Sequence, residues 1–203
     1  MSKPSIPPAT ASTVQHRPLA PVIAHWVTVA LLLVAVGTIF AREFIDATSL
    51  RKDLLMVHQQ AGLLVLGVVV LRLVLRLATR TPERPLAGSV AQQWAARAVH
   101  FLLYAAVIAL PVLGWAAVGA RGEKLVWLGV TLPSWVSERD LDVADELLER
   151  HQAAAWALLA LFLVHVGAAL WHHFVVRDDV LTSMSPWRRR ITHRTSTPRE
   201  ERP

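Results

Sequence analysis

Long uninterrupted apolar runs separated by short polar stretches dominate the chain. Four of them, near residues 21–41, 54–77, 95–118 and 152–176, are long enough to cross a hydrocarbon core about 30 Å thick, which takes roughly 20 helical residues. They are continuously apolar rather than alternating, and far longer than a spanning strand, so the pattern predicts four helices. The first run exceeds a signal-peptide core and follows a Pro/Ser/Thr-rich stretch, and is expected to be a permanent helix. The expected organisation is a tail over residues 1–20, a four-helix transmembrane domain over 21–177 with an external loop over 119–151, and a basic tail over 178–203. The fold class is all-α, an integral membrane four-helix bundle.

Composition agrees with the pattern. Of 203 residues 54% are hydrophobic and 18% charged, with mean hydropathy +0.41, against about 25% charged in an ordinary soluble domain. The absence of cysteine excludes disulfides, thiolate metal sites and cysteine nucleophiles, so redox chemistry has to come from a bound group. Nine histidines are the remaining chemical resource.

Lys and Arg near the helix ends set the orientation. The loop between the second and third segments carries Arg80, Arg84 and Arg97, with Arg76 at its edge. The C-terminal stretch carries Arg177, Arg188, Arg189, Arg190, Arg194, Arg199 and Arg202. Both are expected on the cytoplasmic side. The third loop holds Arg121, Lys124, Arg139 and Arg150 against Glu123, Glu138, Asp140, Asp142, Asp145, Glu146 and Glu149, four positives to seven negatives, and belongs outside. The first loop is balanced. Both termini of this multi-pass membrane protein are then expected on the cytoplasmic side. The net charge of +6 follows from this topology, with anionic lipid rather than nucleic acid beside the basic tail. Trp26, Trp94 and Trp171 fall towards one interface and Trp115, Trp127, Trp135 and Trp156 towards the other. Within the third loop, the apolar stretch 125–130 is expected on the membrane surface, and the fourth helix is expected to start near residues 140–145.

Every segment carries a histidine: His25, His58, His100, then His151, His165, His172 and His173 on the fourth. Ionisable groups in spanning segments are costly and tend to face the bundle interior, although a single one can simply hydrogen-bond to a neighbouring helix. The fourteen residues from His151 to His165 return to within about 40° of one face and rise about 21 Å, so two ligands face one way at two depths. His25 then lies level with His165, and His58 level with His151. Two facing imidazoles at each of two levels suit a six-coordinate haem b at each. Zinc is a weaker rival, because it wants three or four clustered ligands. A histidine proton or ion relay remains open, but leaves the fourteen-residue repeat without a reason. Gly37, Gly62, Gly67, Gly114 and Gly167 permit close approach of a porphyrin or of a neighbouring helix. Arg72 and Arg76 are placed to reach lipid phosphates or haem propionates.

The motifs 23–26 (Ile-Ala-His-Trp), 56–62 (Met-Val-His-Gln-Gln-Ala-Gly), 71–76 (Leu-Arg-Leu-Val-Leu-Arg), 109–114 (Ala-Leu-Pro-Val-Leu-Gly), 128–133 (Leu-Gly-Val-Thr-Leu-Pro), and His165 with His172-His173 together resemble the bacterial cytochrome b561 family from about residue 21 to 186. The resemblance implies a four-helix inner-membrane electron-transfer protein holding two b haems and exchanging electrons with ubiquinone or menaquinone. Its ligands fall on His25 and His165 for the cytoplasmic-side haem, and on His58 and His151 for the periplasmic-side one. His100 and His172 match further family histidines, near the cytoplasmic haem or a quinone head. His172, seven residues past His165 and roughly 10 Å nearer the cytoplasm, is an alternative ligand. Some family members are described as superoxide oxidases that pass the electron to ubiquinone. The net acidic third loop disfavours steering of an anion, although Arg121 and Lys124 offer a local basic entrance, so superoxide is not favoured over generic quinone-linked electron transfer with a periplasmic donor or acceptor such as a redox protein. A wider resemblance to the membrane cytochromes of hydrogenases and formate dehydrogenases gives the alternative of a haem-bearing anchor for a partner oxidoreductase subunit.

Overall fold

The computed structural model describes residues 19–79, 89–136, 138–178 and 180–185. The expectations for Arg80, Arg84 and the Arg-rich stretch from Arg188 to Arg202 lie outside the described residues. Four helices make up the fold: α1 (Leu19–Glu43), α2 (Thr48–Thr79), α3 (Val90–Ala120) and α4 (Leu141–Trp171). A π-turn over His172–Val176 prolongs α4, and a single 3₁₀ turn follows at Thr182–Met184.

At 25 to 32 residues the helices run roughly 37–48 Å, longer than the apolar runs that seed them. The extensions come from polar residues that favour helix starts. Ser89 forms a capping box with Gln92, its hydroxyl accepting from the Gln92 N–H while its own N–H donates to Gln92 Oε1 at 2.7 Å. Asp140 caps α4 by accepting from Val143 N at 3.0 Å. Each cap satisfies a backbone donor that helix geometry leaves orphaned. As a result α4 begins at Leu141, and the acidic stretch up to Arg150 forms its first turns rather than loop.

Helix α1 packs chiefly on α2, and α3 on α4, with α2 and α3 joining the two pairs. The buried core is small: Val65, Val69, Val107, Leu110 and Leu158, with Leu31, Leu32, Leu103, Tyr104 and Ala154 among the residues against it. Large apolar side chains point outward instead, among them Phe101 (72% exposed), Trp156 (65%) and Leu163 (60%). A water-soluble bundle would not leave such a continuous apolar surface exposed; a bundle in lipid requires it. Polar side chains within the spans answer to their own helix. Thr28 Oγ1 donates to Ala24 O at 2.8 Å and Thr38 Oγ1 to Val34 O at 2.9 Å.

Between α3 and α4 the chain forms a two-stranded hairpin, β1 (Val126–Trp127) against β2 (Val130–Thr131). The apolar stretch expected on the membrane surface thus takes the form of a hairpin. Its signal was the Leu128-Gly129 pair: both residues have positive φ, 48° and 85°, as the tight turn of a two-residue hairpin needs. The Gln60 carboxamide of α2 holds the hairpin down, donating to Val126 O at 2.6 Å and accepting from Leu128 N at 3.3 Å. Trp115 Nε1 donates to Pro133 O at 3.1 Å, and its ring meets Trp135 edge-on. At the opposite end of the bundle, Trp26 Nε1 donates to Met184 O at 2.8 Å, tying the last described turn back to α1. The two ends are called below the hairpin end and the termini end.

Replacing Gln60 with Ala removes both hairpin contacts at a cost of about 1–2 kcal/mol. Hydrogen exchange should show faster exchange of the Leu128 amide with the four helices still protected.

Candidate functional site

The histidines meet at two levels. Near the hairpin end, the rings of His58 on α2 and His151 on α4 have centres 6.0 Å apart with planes at 71°. Towards the termini end, His25 on α1 and His165 on α4 have centres 6.4 Å apart at 65°. Residues 151, 158 and 165 share one face of α4, so the core residue Leu158 lies between the two levels. Apolar packing thus fills the space between the pairs.

The two levels are built differently. His58 Nδ1 lies 2.8 Å from Ala35 O on α1, and His151 Nδ1 lies 2.9 Å from Leu110 O on α3. A carbonyl can only accept, so in both rings Nδ1 carries the proton and Nε2 is left with its lone pair. Such a hydrogen bond from Nδ1–H to a carbonyl fixes the tautomer and orientation of a metal-binding imidazole. His25 and His165 have no hydrogen-bond partner among the described residues. A third ring, His100 on α3, joins their level, its centre 5.2 Å from that of His165 and its Nδ1 bonded to Ala96 O at 2.6 Å.

Several glycines bear on this space. Among the described residues, a side chain added at Gly37, Gly62, Gly67 or Gly167 would meet nothing within 4 Å, so none of these four serves a close helix–helix contact there. Gly114 does have a neighbour, since a Cβ there would lie 3.4 Å from His151 Cε1. That is ordinary van der Waals contact, so a Cβ fits beside the imidazole while the branches of a larger side chain would press on it.

Arg72 on α2 stacks its guanidinium over the Tyr104 ring of α3 at 5.7 Å from the centroid. Arg76 lies one turn further along the same face and is exposed. His172 stands apart from the other histidines. Its Nδ1 donates to Asp178 Oδ2 at 2.6 Å across the π-turn, and Asp178 Oδ1 accepts from Val180 N at 3.1 Å. The hydrogen bond from His172 holds the Asp178 carboxyl below the usual carboxylate range. The structure therefore brings together His25, His100 and His165 at one level and His58 and His151 at the other, with His172 and Arg76 further towards the termini end.

Sequence reasoning missed the partners more than the histidines. Ala35 and Leu110 act through backbone carbonyls, which leave no trace in side-chain chemistry. Asp178 was passed over because the π-turn that folds it back onto His172 departs from α-helical spacing.

Long apolar helices with imidazoles facing inward at two depths place the chain among multi-pass membrane proteins built around an interior cofactor site. Comparison with known sequences narrows the class. The profile of the prokaryotic cytochrome b561 family matches residues 16–187, and the chain belongs to that family of haem b-binding membrane electron-transfer proteins. It is 29% identical over 165 residues to "Probable superoxide oxidase CybB" of Yersinia pestis, covering 81% of this chain and 93% of the relative. It is 27% identical over 168 residues to "Cytochrome b561 homolog 1" of Escherichia coli strain K12, covering 81% and 94%.

Gly114→Val would press on the His151 ring and should lower stability by about 1–3 kcal/mol, the usual range for overpacking. Gly167→Val, in open space, should leave thermal unfolding in detergent close to that of the wild type.

Proposed function

We propose that the chain is a di-haem b-type cytochrome that carries electrons across the inner membrane between a donor or acceptor at the hairpin end and the quinone pool. His25 and His165 would hold one haem, and His58 and His151 the other. The observation that carries this reading is the ring separation at the two levels. An imidazole binds a transition metal at about 2.0–2.1 Å and its ring centre lies roughly 1.1 Å behind the nitrogen, so two rings on opposite sides of one ion have centres about 6.3 Å apart. The pairs at 6.4 and 6.0 Å fit that spacing. His100, at 5.2 Å from His165, is too close for the opposite position on a shared ion.

Ligand number supports the same reading. Zinc takes three or four protein ligands, whereas among the described residues no three His, Asp or Glu side chains converge on one point. One facing imidazole pair per level would leave the remaining positions to a planar macrocycle, and a Cβ at Gly62, one turn from His58 on nearly the same face, would meet no described side chain within 4 Å. Haem b, when bound, supplies the one-electron chemistry that these side chains lack. The protein's share is to fix the rings, exclude water with the apolar layer around Leu158, and set the two depths.

Orientation follows from charge. Arg72, Arg76, Arg97 and Arg177 flank the termini end, while residues 121–150 at the hairpin end carry four cations against seven anions. The positive-inside bias puts the termini end in the cytoplasm. Superoxide enters as a candidate donor through the relative named for its oxidation, but a net negative outer surface slows the approach of an anion. The reading is therefore quinone-linked electron transfer from a periplasmic one-electron donor, with superoxide one member of that class.

Pyridine-haemochrome assay of the detergent-purified protein should give two haems b per chain. His165→Ala and His151→Ala should each lose one, and the double variant both. A colourless wild type, or a haem content untouched by either substitution, would sink the reading.

A further inference from the structure

The two histidine levels sit in opposite electrostatic surroundings. Arg72 follows His58 by fourteen residues on α2, the offset that separates His151 from His165 on α4, so it descends about 21 Å to the level of His25 and His165 and returns to nearly the same helix face. Its guanidinium is held there by the ring of Tyr104, itself one turn past His100 on α3. Arg72 is only partly exposed, and among the described residues no carboxylate pairs with it. Arg76, Arg97 and Arg177 extend this cationic environment, with Asp178 the only described acid at that end. The hairpin end has the reverse balance. The α1–α2 turn there is neutral overall, Arg42, Arg51 and Lys52 against Glu43, Asp46 and Asp53, and residues 121–150 carry an excess of three negative charges.

The imidazoles differ in the same sense. His58 and His151 both donate Nδ1–H to backbone carbonyls at 2.8 and 2.9 Å, which makes Nε2 a stronger electron donor and favours the higher oxidation state of a bound iron. His25 and His165 lack that support among the described residues. A nearby cation disfavours the oxidised, more positive iron, and a nearby anion favours it. A unit charge about 10 Å from a redox centre, at an effective dielectric constant of about 20, shifts its equilibrium about tenfold.

From these observations we infer that Arg72 holds the His25–His165 site at the higher reduction potential of the two. The inference rests on the two-haem reading and names the residue that sets the order of its two sites. With haem held by His58 and His151 and by His25 and His165, that order would favour passage of an electron from a periplasmic one-electron donor towards the termini end, with no bond made or broken in the protein; two such electrons and two protons would take a quinone to its quinol.

Potentiometric titration of the purified holoprotein, followed in the haem absorption bands, tests it. The wild type should titrate in two waves, and loss of one wave in His151→Ala and of the other in His165→Ala assigns them. The His165-dependent wave should have the higher midpoint. Arg72→Gln should lower that wave by about a tenfold change in the oxidised/reduced ratio, 59 mV for one electron, and leave the other in place, while Arg72→Lys should restore it. The reverse order of the two waves in the wild type, or an Arg72→Gln midpoint equal to that of the wild type, would overturn the inference with the two-haem reading intact. Absence of haem from the wild type would remove both.

Discussion

An imidazole nitrogen has no water to turn to inside a hydrocarbon core, and the organisation of this bundle follows from where those nitrogens find partners. Leaving a polar group unpaired in an apolar medium costs several kcal/mol. At the hairpin end the problem is half solved by backbone: Ala35 O and Leu110 O each take one N–H. The opposite nitrogens of His58 and His151 are then left with lone pairs on rings 6.0 Å apart. In the proposed reading, an iron held between them would complete the solution. The fourteen-residue offset along α4 repeats the arrangement about 21 Å further on, with Arg72 and His100 added to it.

The sparse core follows from the same requirement. Side-chain packing is concentrated in the layer of Val65, Val69, Val107, Leu110 and Leu158, between the two histidine levels. Four helices in lipid gain little from burying leucine against leucine, since the bilayer is equally apolar. Helix caps, the Gln60 grip on the hairpin and the Trp26 contact with Met184 tie the bundle at its two ends. Membership of the prokaryotic cytochrome b561 family agrees with a bundle in which a cofactor supplies part of the packing.

Helix number, approximate spans and the facing pairs of histidines were legible in the sequence, because hydropathy and helical periodicity act over long windows that local detail cannot mask. His25 meets His165 and His58 meets His151 through nothing more than rise and rotation per residue. What periodicity does not encode was harder to see. The hairpin at Val126–Thr131 spans six residues, too few for a pattern, and its turn signal at Leu128-Gly129 lay inside an apolar stretch read as surface-lying. The π-turn after Trp171 breaks the 100° rule just where His172 and Asp178 are brought together. The start of the fourth helix, by contrast, falls within the expected residues 140–145, because Asp140 caps it.

The central claim is that each histidine pair holds one iron between two imidazoles. Low-temperature electron paramagnetic resonance of the oxidised protein tests it most directly, because the spin state of ferric haem reports its axial ligands. Two low-spin ferric signals, with no high-spin component, are the predicted result. A dominant high-spin signal would mean an open or weakly held axial position and would contradict the paired-histidine account.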